Sequence, residues 1–177
     1  PLSAFRATAA VEGVRRWVRQ QGLTIDWLQE PHAPADPLSA AQHVKHTLGG
    51  RIAIGAGICA VQETFAPIFD LGDGFARDGS QFDHLFADGE SFCIGGMQAR
   101  VIGVPGHTPD SVAYLVDDSL CVGDSLFMPD AGSARCDFPG GDAATLFRSI
   151  QRLYALPDAT RVFVCHDYGI RNDQGSD

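Results

Sequence analysis

Two short stretches carry side chains able to hold a metal ion. Pro105-Gly106-His107-Thr108-Pro109-Asp110-Ser111 presents one imidazole, and Gly123-Asp124-Ser125-Leu126-Phe127 presents one carboxylate. A Pro-Gly turn ends the apolar run 99–104, a β-rich excursion over 112–116 and 120–122 follows, and the chain returns with Asp124. Glycine beside each donor suits a backbone that bends sharply or approaches a neighbour closely. Histidine and aspartate at the ends of adjacent strands are a common way to hold a metal. A capped turn and an Asx turn explain either residue alone. Two further histidines in loops after strands, His32 (with Asp36 beyond it) and His166, change the odds, because loops at one end of a sheet are where sites assemble. Singly, each of these is also a solvated loop residue, and Asp36 would cap the helix that follows. His43 and His46, three apart on a helix, read as an exposed face.

The elements that must position these donors follow from periodicity. Residues 8–21 place Ala10, Val14, Trp17 and Val18 at helical spacing, with Gly22 as a stop. Residues 23–28 read as a strand, 30–37 as a proline-rich loop, 39–48 as a helix ended by Gly49-Gly50, 51–54 as a short buried strand and 58–69 as a helix. After a Gly/Asp-rich loop over 71–80, residues 82–86, 91–94 and 97–104 read as antiparallel strands, with a further hairpin around Asp117-Asp118. A loop over 128–142 leads to a helix over 143–156, with Leu146, Phe147, Ile150, Leu153 and Tyr154 on one face. A last strand, 161–165, delivers His166-Asp167-Tyr168. This is an α/β pattern of sheets covered by helices. It opens on a helix with no strand before it and stops almost directly after His166, which reads as a single domain over 1–177, incomplete at both ends.

Length and composition fit one domain with a real core. No apolar run is long enough to span a membrane and no signal peptide is visible, so the cytoplasm is the expected location. A net charge of −9 argues against nucleic acid or an anionic membrane as the main partner. An anionic small substrate remains compatible, since one local arginine outweighs a distant field. Five cysteines, odd in number and without a CxxC, read as reduced thiols. Cys136, between Arg135 and Asp137 in a polar loop, is the exception where an exposed thiol is compatible with the sequence, and it reads as inert.

The block from Val104 to Tyr168 resembles the persulfide (sulfur) dioxygenase branch of the metallo-β-lactamase superfamily. The resemblance is carried by Pro105–Ser111, Val122-Gly123-Asp124-Ser125-Leu126-Phe127, Ala134-Arg135-Cys136-Asp137-Phe138, Thr145-Leu146-Phe147-Arg148-Ser149-Ile150 and His166-Asp167-Tyr168. In the front half it continues through Leu38-Ser39-Ala40-Ala41, Leu48-Gly49-Gly50-Arg51-Ile52-Ala53-Ile54-Gly55 and Val61-Gln62-Glu63. It implies an αββα sandwich. Where the superfamily has His-x-His-x-Asp-His, this chain reads His32-Ala33-Pro34-Ala35-Asp36-Pro37. The first His and the Asp stand, while proline replaces the second and third His and has no lone pair to give a metal.

That departure is selective. Binuclear hydrolases of the superfamily need the lost histidines at both metal positions, so two-metal hydrolysis is disfavoured. The dioxygenase branch uses one iron, and the resemblance assigns its ligands to His32, His107 and Asp124, a two-His-one-carboxylate face that leaves positions open for substrate and O₂. It implies oxidation of glutathione persulfide to sulfite and glutathione. Arg135 would bind substrate through a glutathione carboxylate, and Tyr168 would bind substrate and donate to its sulfur or to bound oxygen. Asp36, His166 and Asp137 are expected to surround the ligands. Three readings stand: a mono-iron (Fe(II)) persulfide dioxygenase, a decayed metal-free domain of the same fold, and, further behind, a thiolester hydrolase with one zinc ion. Members of the family often form homodimers, and the same is expected here.

Overall fold

The structure, a computed structural model, describes residues 2–33 and 40–168, with side chains in the first helix described from residue 11 onward. In chain order the elements are α1 (Leu2–Gln20), β1 (Trp27–Gln29), α2 (Ala41–Leu48), β2 (Arg51–Gly55), α3 (Ile58–Ile68), β3 (His84–Phe86), β4 (Ser91–Ile94), β5 (Met97–Gly103), β6 (Val112–Val116), β7 (Ser119–Cys121), α4 (Ala143–Tyr154) and β8 (Arg161–Phe163). The expected 23–28 strand is confined to β1, whose ladder with β2 begins at the Trp27–Arg51 pair.

Two sheets form, one ordered β1-β2-β3 and the other β4-β5-β6-β7-β8. The first is parallel throughout, with Leu28 opposite Ile52 and Ile54 opposite Leu85. The second is antiparallel from β4 to β7 and ends on a parallel β7–β8 pair. The expectation that 82–86 joins the antiparallel strands is therefore corrected. β3 pairs with β2, and the turn after it carries the chain from one sheet to the other rather than closing a hairpin.

Alternation along the strands assigns each face. Ala53 and Phe86 from the first sheet meet Phe92, Ala99, Val101, Val112 and Tyr114 from the second, forming the seam between sheets. On the opposite face of the first sheet, Ile54 packs with Ile58 and Val61 of α3. On the opposite face of the second, Ile102, Ala113 and Leu120 pack with Leu153 of α4. Helices thus lie outside both sheets, giving the αββα sandwich. Trp27 ties the sheets at one end, its indole N–H donating to the Cys93 carbonyl (2.9 Å) and its ring meeting Phe92 edge-on.

Helical faces were read less well than strands. Val18 is buried, but Val14 and Trp17 are more than half exposed, as are Phe147 and Tyr154 of α4. In α4 it is Leu146, Ser149 and Leu153 that face inward. Serine is inward because its hydroxyl donates to the Pro105 carbonyl (2.7 Å), tying the helix to the His107 turn. Asp142 caps α4 through the Thr145 amide (2.7 Å), and its own amide donates to the Gly106 carbonyl (2.8 Å). No helix among the described residues is long and apolar enough to cross a membrane.

Gly106 is where this clamp is tightest. Its φ of +136° is accessible to glycine, and a Cβ there would lie 2.3 Å from the Leu146 amide nitrogen. Gly106→Ala is expected to cost roughly 2–5 kcal/mol through strain and overlap. Gly96→Ala, in a turn with nothing within 4 Å of the new methyl, should stay within about 0.5 kcal/mol of the parent. Chemical denaturation of both variants checks the contrast, and equal stability of the two would refute the clamp.

Candidate metal centre

Three loops at one end of the sandwich converge. His32 follows β1, in a loop held from both sides: the Pro31 carbonyl accepts from the Val112 amide (2.8 Å), and the Ala33 amide donates to Asp110 Oδ2 (2.6 Å). His107 sits in the turn after β5. There the Val104 amide reaches the Ser111 carbonyl (2.9 Å), and the Thr108 and Ser111 hydroxyls pair at 2.7 Å, closing the loop on itself. Asp124 follows β7, where the Ser125 amide turns back to the Val122 carbonyl (3.2 Å). The sequence suggests adjacent strands for His107 and Asp124; this is corrected, because the strands that end at them, β5 and β7, flank β6. Three tethered loops therefore bring together donors from both sheets.

Nε2 of His32 lies 3.6 Å and Nε2 of His107 3.9 Å from Asp124 Oδ2. The imidazole rings meet edge to face with centroids 5.2 Å apart, and one ligand atom from each residue lies within 4.8 Å of the others. These separations are too long for hydrogen bonds. Ligands about 2.1 Å from one ion sit about 3–3.5 Å apart at ordinary coordination angles, close to the spacing found. Asp124 Oδ1 is buried without a hydrogen-bond partner among the described residues. A carboxylate with Oδ2 facing two imidazole nitrogens across a gap, and Oδ1 buried without a hydrogen-bond partner among the described residues, fits a cation.

The tautomer of His107 is fixed by its surroundings. Nδ1 lies 2.8 Å from the Arg135 carbonyl, which can only accept, so Nδ1 carries the proton and Nε2 keeps its lone pair toward Asp124. At His32, burial is the largest influence and holds the imidazole below its ordinary range, opposed in part by the Asp124 carboxylate. A neutral ring is what a metal requires.

The other sequence-derived residues are placed as follows. Nε2 of His166 is 3.4 Å from Asp124 Oδ1, with its side chain half exposed. The Tyr168 ring packs edge-on against Phe127 at 5.1 Å and beside His166 at 5.7 Å. Arg135 pairs with Asp137 (2.6 Å), and its guanidinium lies over the Phe138 ring, whose edge meets His107. Asp137 is exposed, and Arg135 holds its carboxyl below the usual range. Asp36, with Pro34 and Pro37, lies outside the described residues. His43 and His46 are exposed on α2, His43 facing Glu12 at 3.9 Å. All five cysteines are free. Burial pushes the Cys136 thiol up, and that of Cys165 up to about 11, so neither is an activated nucleophile.

Two participants escaped the sequence reading. One is the Arg135 backbone carbonyl, which no side-chain pattern can reveal. The other is Asp110, 1% exposed, whose backbone is pressed against Gly55 and Gly57 so closely that a Cβ on either would overlap it. Two glycines bracketing one residue at the β2–α3 turn were the available signal.

No protein-family profile matches the chain. It is 46% identical over 178 aligned positions to a probable metallo-hydrolase of Burkholderia pseudomallei, covering 95% of this chain and 60% of that protein. Among solved structures it superposes on ETHE1 from Myxococcus xanthus with a TM-score of 0.71 at 27% identity, covering 91% of this chain and 62% of the other. It superposes equally well, TM-score 0.71 at 27% identity, on the BLEG-1 B3 metallo-β-lactamase, covering 89% and 77%. The chain thus spans about 60% of the length of that curated relative.

His107→Ala should abolish metal retention, whereas His43→Ala should leave metal content unchanged, as measured by elemental analysis of purified protein. Full metal content in both variants would show that the ion sits elsewhere.

Proposed function

We propose that this chain, which belongs to the metallo-β-lactamase superfamily, holds one ferrous ion on His32, His107 and Asp124 and uses O₂ to oxidise glutathione persulfide. The observation that carries the reading is the donor set: two imidazoles and one carboxylate converge, while the sequence has proline at one histidine position of each metal of the two-metal relatives. A two-His-one-carboxylate face with open positions is the arrangement of non-haem Fe(II) oxygenases. The sequence resemblance to persulfide dioxygenases supplies the substrate class.

The reaction balances as persulfide plus O₂ plus water giving glutathione, sulfite and two protons, with four electrons passing from sulfur to O₂ and the S–S bond breaking. Ferrous iron, when bound, supplies electrons to O₂ and open positions at which it and the thiol meet. The chain's own residues do the rest. The Arg135 carbonyl keeps the His107 lone pair directed inward. Arg135, at the rim, exchanges its exposed Asp137 partner for a glutathione carboxylate; an exposed pair is worth little and is readily surrendered. Tyr168, whose ring packs beside His166 and Phe127, is the phenol this reading assigns to donate to persulfide sulfur.

A hydrolytic reading draws on the name of the Burkholderia relative. It asks for a second ion, or for one zinc ion acting alone on a thiolester, and the proline substitutions weigh against the two-ion form.

Iron-loaded protein given glutathione persulfide is expected to consume one O₂ per sulfite formed and to leave a glutathione thiolester intact. Thiolester cleavage without O₂ uptake would refute the dioxygenase reading. Arg135→Ala should raise KM about 10-fold with kcat little changed, the pattern of a lost charge-assisted contact made equally in ground and transition states.

A further inference from the structure

Asp110 is the most deeply buried ionisable side chain beside the centre, and a plain structural role does not account for it. Its Oδ2 accepts the Ala33 amide at 2.6 Å. Its Oδ1 is buried with no hydrogen-bond partner among the described residues. Holding one amide needs only a neutral acceptor, and a carboxylate buried with one oxygen unsatisfied works against folding. No Lys or Arg forms an ion pair with it among the described residues. Of the ionisable groups near it, His32 stands next to the amide it holds and in turn faces Asp124, and Tyr114 and Glu30 lie within electrostatic reach of the same groups. Gly55 and Gly57 lack side chains where the Asp110 backbone passes, so the residue is fixed between the β2–α3 turn and the His32 loop.

We propose that Asp110 is a positioning residue of the metal centre: it holds the His32 arm in place through Ala33, and its carboxylate adds to that of Asp124 in offsetting the charge of a divalent ion held on two neutral imidazoles. The inference rests on the assignment of His32, His107 and Asp124 as ligands. It gives the His32 arm an anchor independent of the segment that carries Pro34 and Pro37. A carboxylate that touches no metal but orients a ligand and tunes its charge is worth about 10–100-fold in metal affinity.

The test uses the full chain as wild type, Asp110→Asn and Asp110→Ser, stripped of metal and titrated anaerobically with ferrous iron. Cobalt(II) serves as a second probe, read by its visible absorption. Both neutral variants are expected to bind either ion about 10–100-fold more weakly, with a metal-free thermal midpoint equal to or above that of wild type. A shifted cobalt spectrum would report the altered setting of His32. Wild-type affinity in both variants would overturn the proposal. So would failure of both to fold without metal, since Asp110 would then be a structural element. A wild-type chain that takes up neither ion overturns the ligand assignment itself, an outcome distinct from the other two.

Discussion

The candidate metal centre depends on two sheets being locked face to face. His32 leaves the first sheet, whereas His107 and Asp124 leave the second. No single hairpin or helix brings them together. The seam of Phe86, Phe92, Val101, Val112 and Tyr114 sets the spacing between sheets, and its rings meet at centroid distances of 4.6–6.2 Å. Two polar stitches then fix the slide of one sheet on the other beside the site. The Tyr114 hydroxyl donates to the Glu30 carbonyl at 3.0 Å, and the Val112 amide to the Pro31 carbonyl. Both stitches lie within two residues of His32. Apolar burial supplies the bulk of the attraction and tolerates sliding; the directional bonds remove that freedom.

Electrostatics at the centre follow from the same packing. Burial disfavours a charged His32 and so keeps its lone pair available to a metal, while two carboxylates, Asp124 and Asp110, are carried into low-dielectric surroundings with an oxygen each left without a hydrogen-bond partner among the described residues. Interiors of this kind are unfavourable for the empty protein and favourable once a cation enters. The centre is therefore built for occupancy, and its stability and its metal affinity are expected to pull in opposite directions at Asp110.

Much of this was legible in the chain. The turn around His107, the return at Asp124, the strands β4 to β7 and helix α4 all carry local signals: Pro-Gly, Asp-Asp and Gly-Gly turns, alternation, and an Asp142 cap. What failed was non-local. Residues 82–86 look like one more antiparallel strand because a tight Gly turn follows them, yet β3 belongs to the other sheet, a choice made by packing of Phe86 across the seam. Phe147 and Tyr154 sit at helical spacing with Leu146 and Leu153 but point away from the sheet, because Ser149 takes the inner position to reach Pro105. Asp110 was read as part of a turn motif, since a sequence does not show that its partner is an amide 77 positions earlier.

The account stands most directly on the identity of the donors around the bound ion. Iron-edge X-ray absorption on the reconstituted protein should show one iron per chain with two imidazole nitrogens, oxygen ligands and no sulfur from the protein. The imidazole scattering should fall by half in His32→Ala. An iron ligated through cysteine thiolates, or an imidazole count unchanged by that substitution, would contradict it.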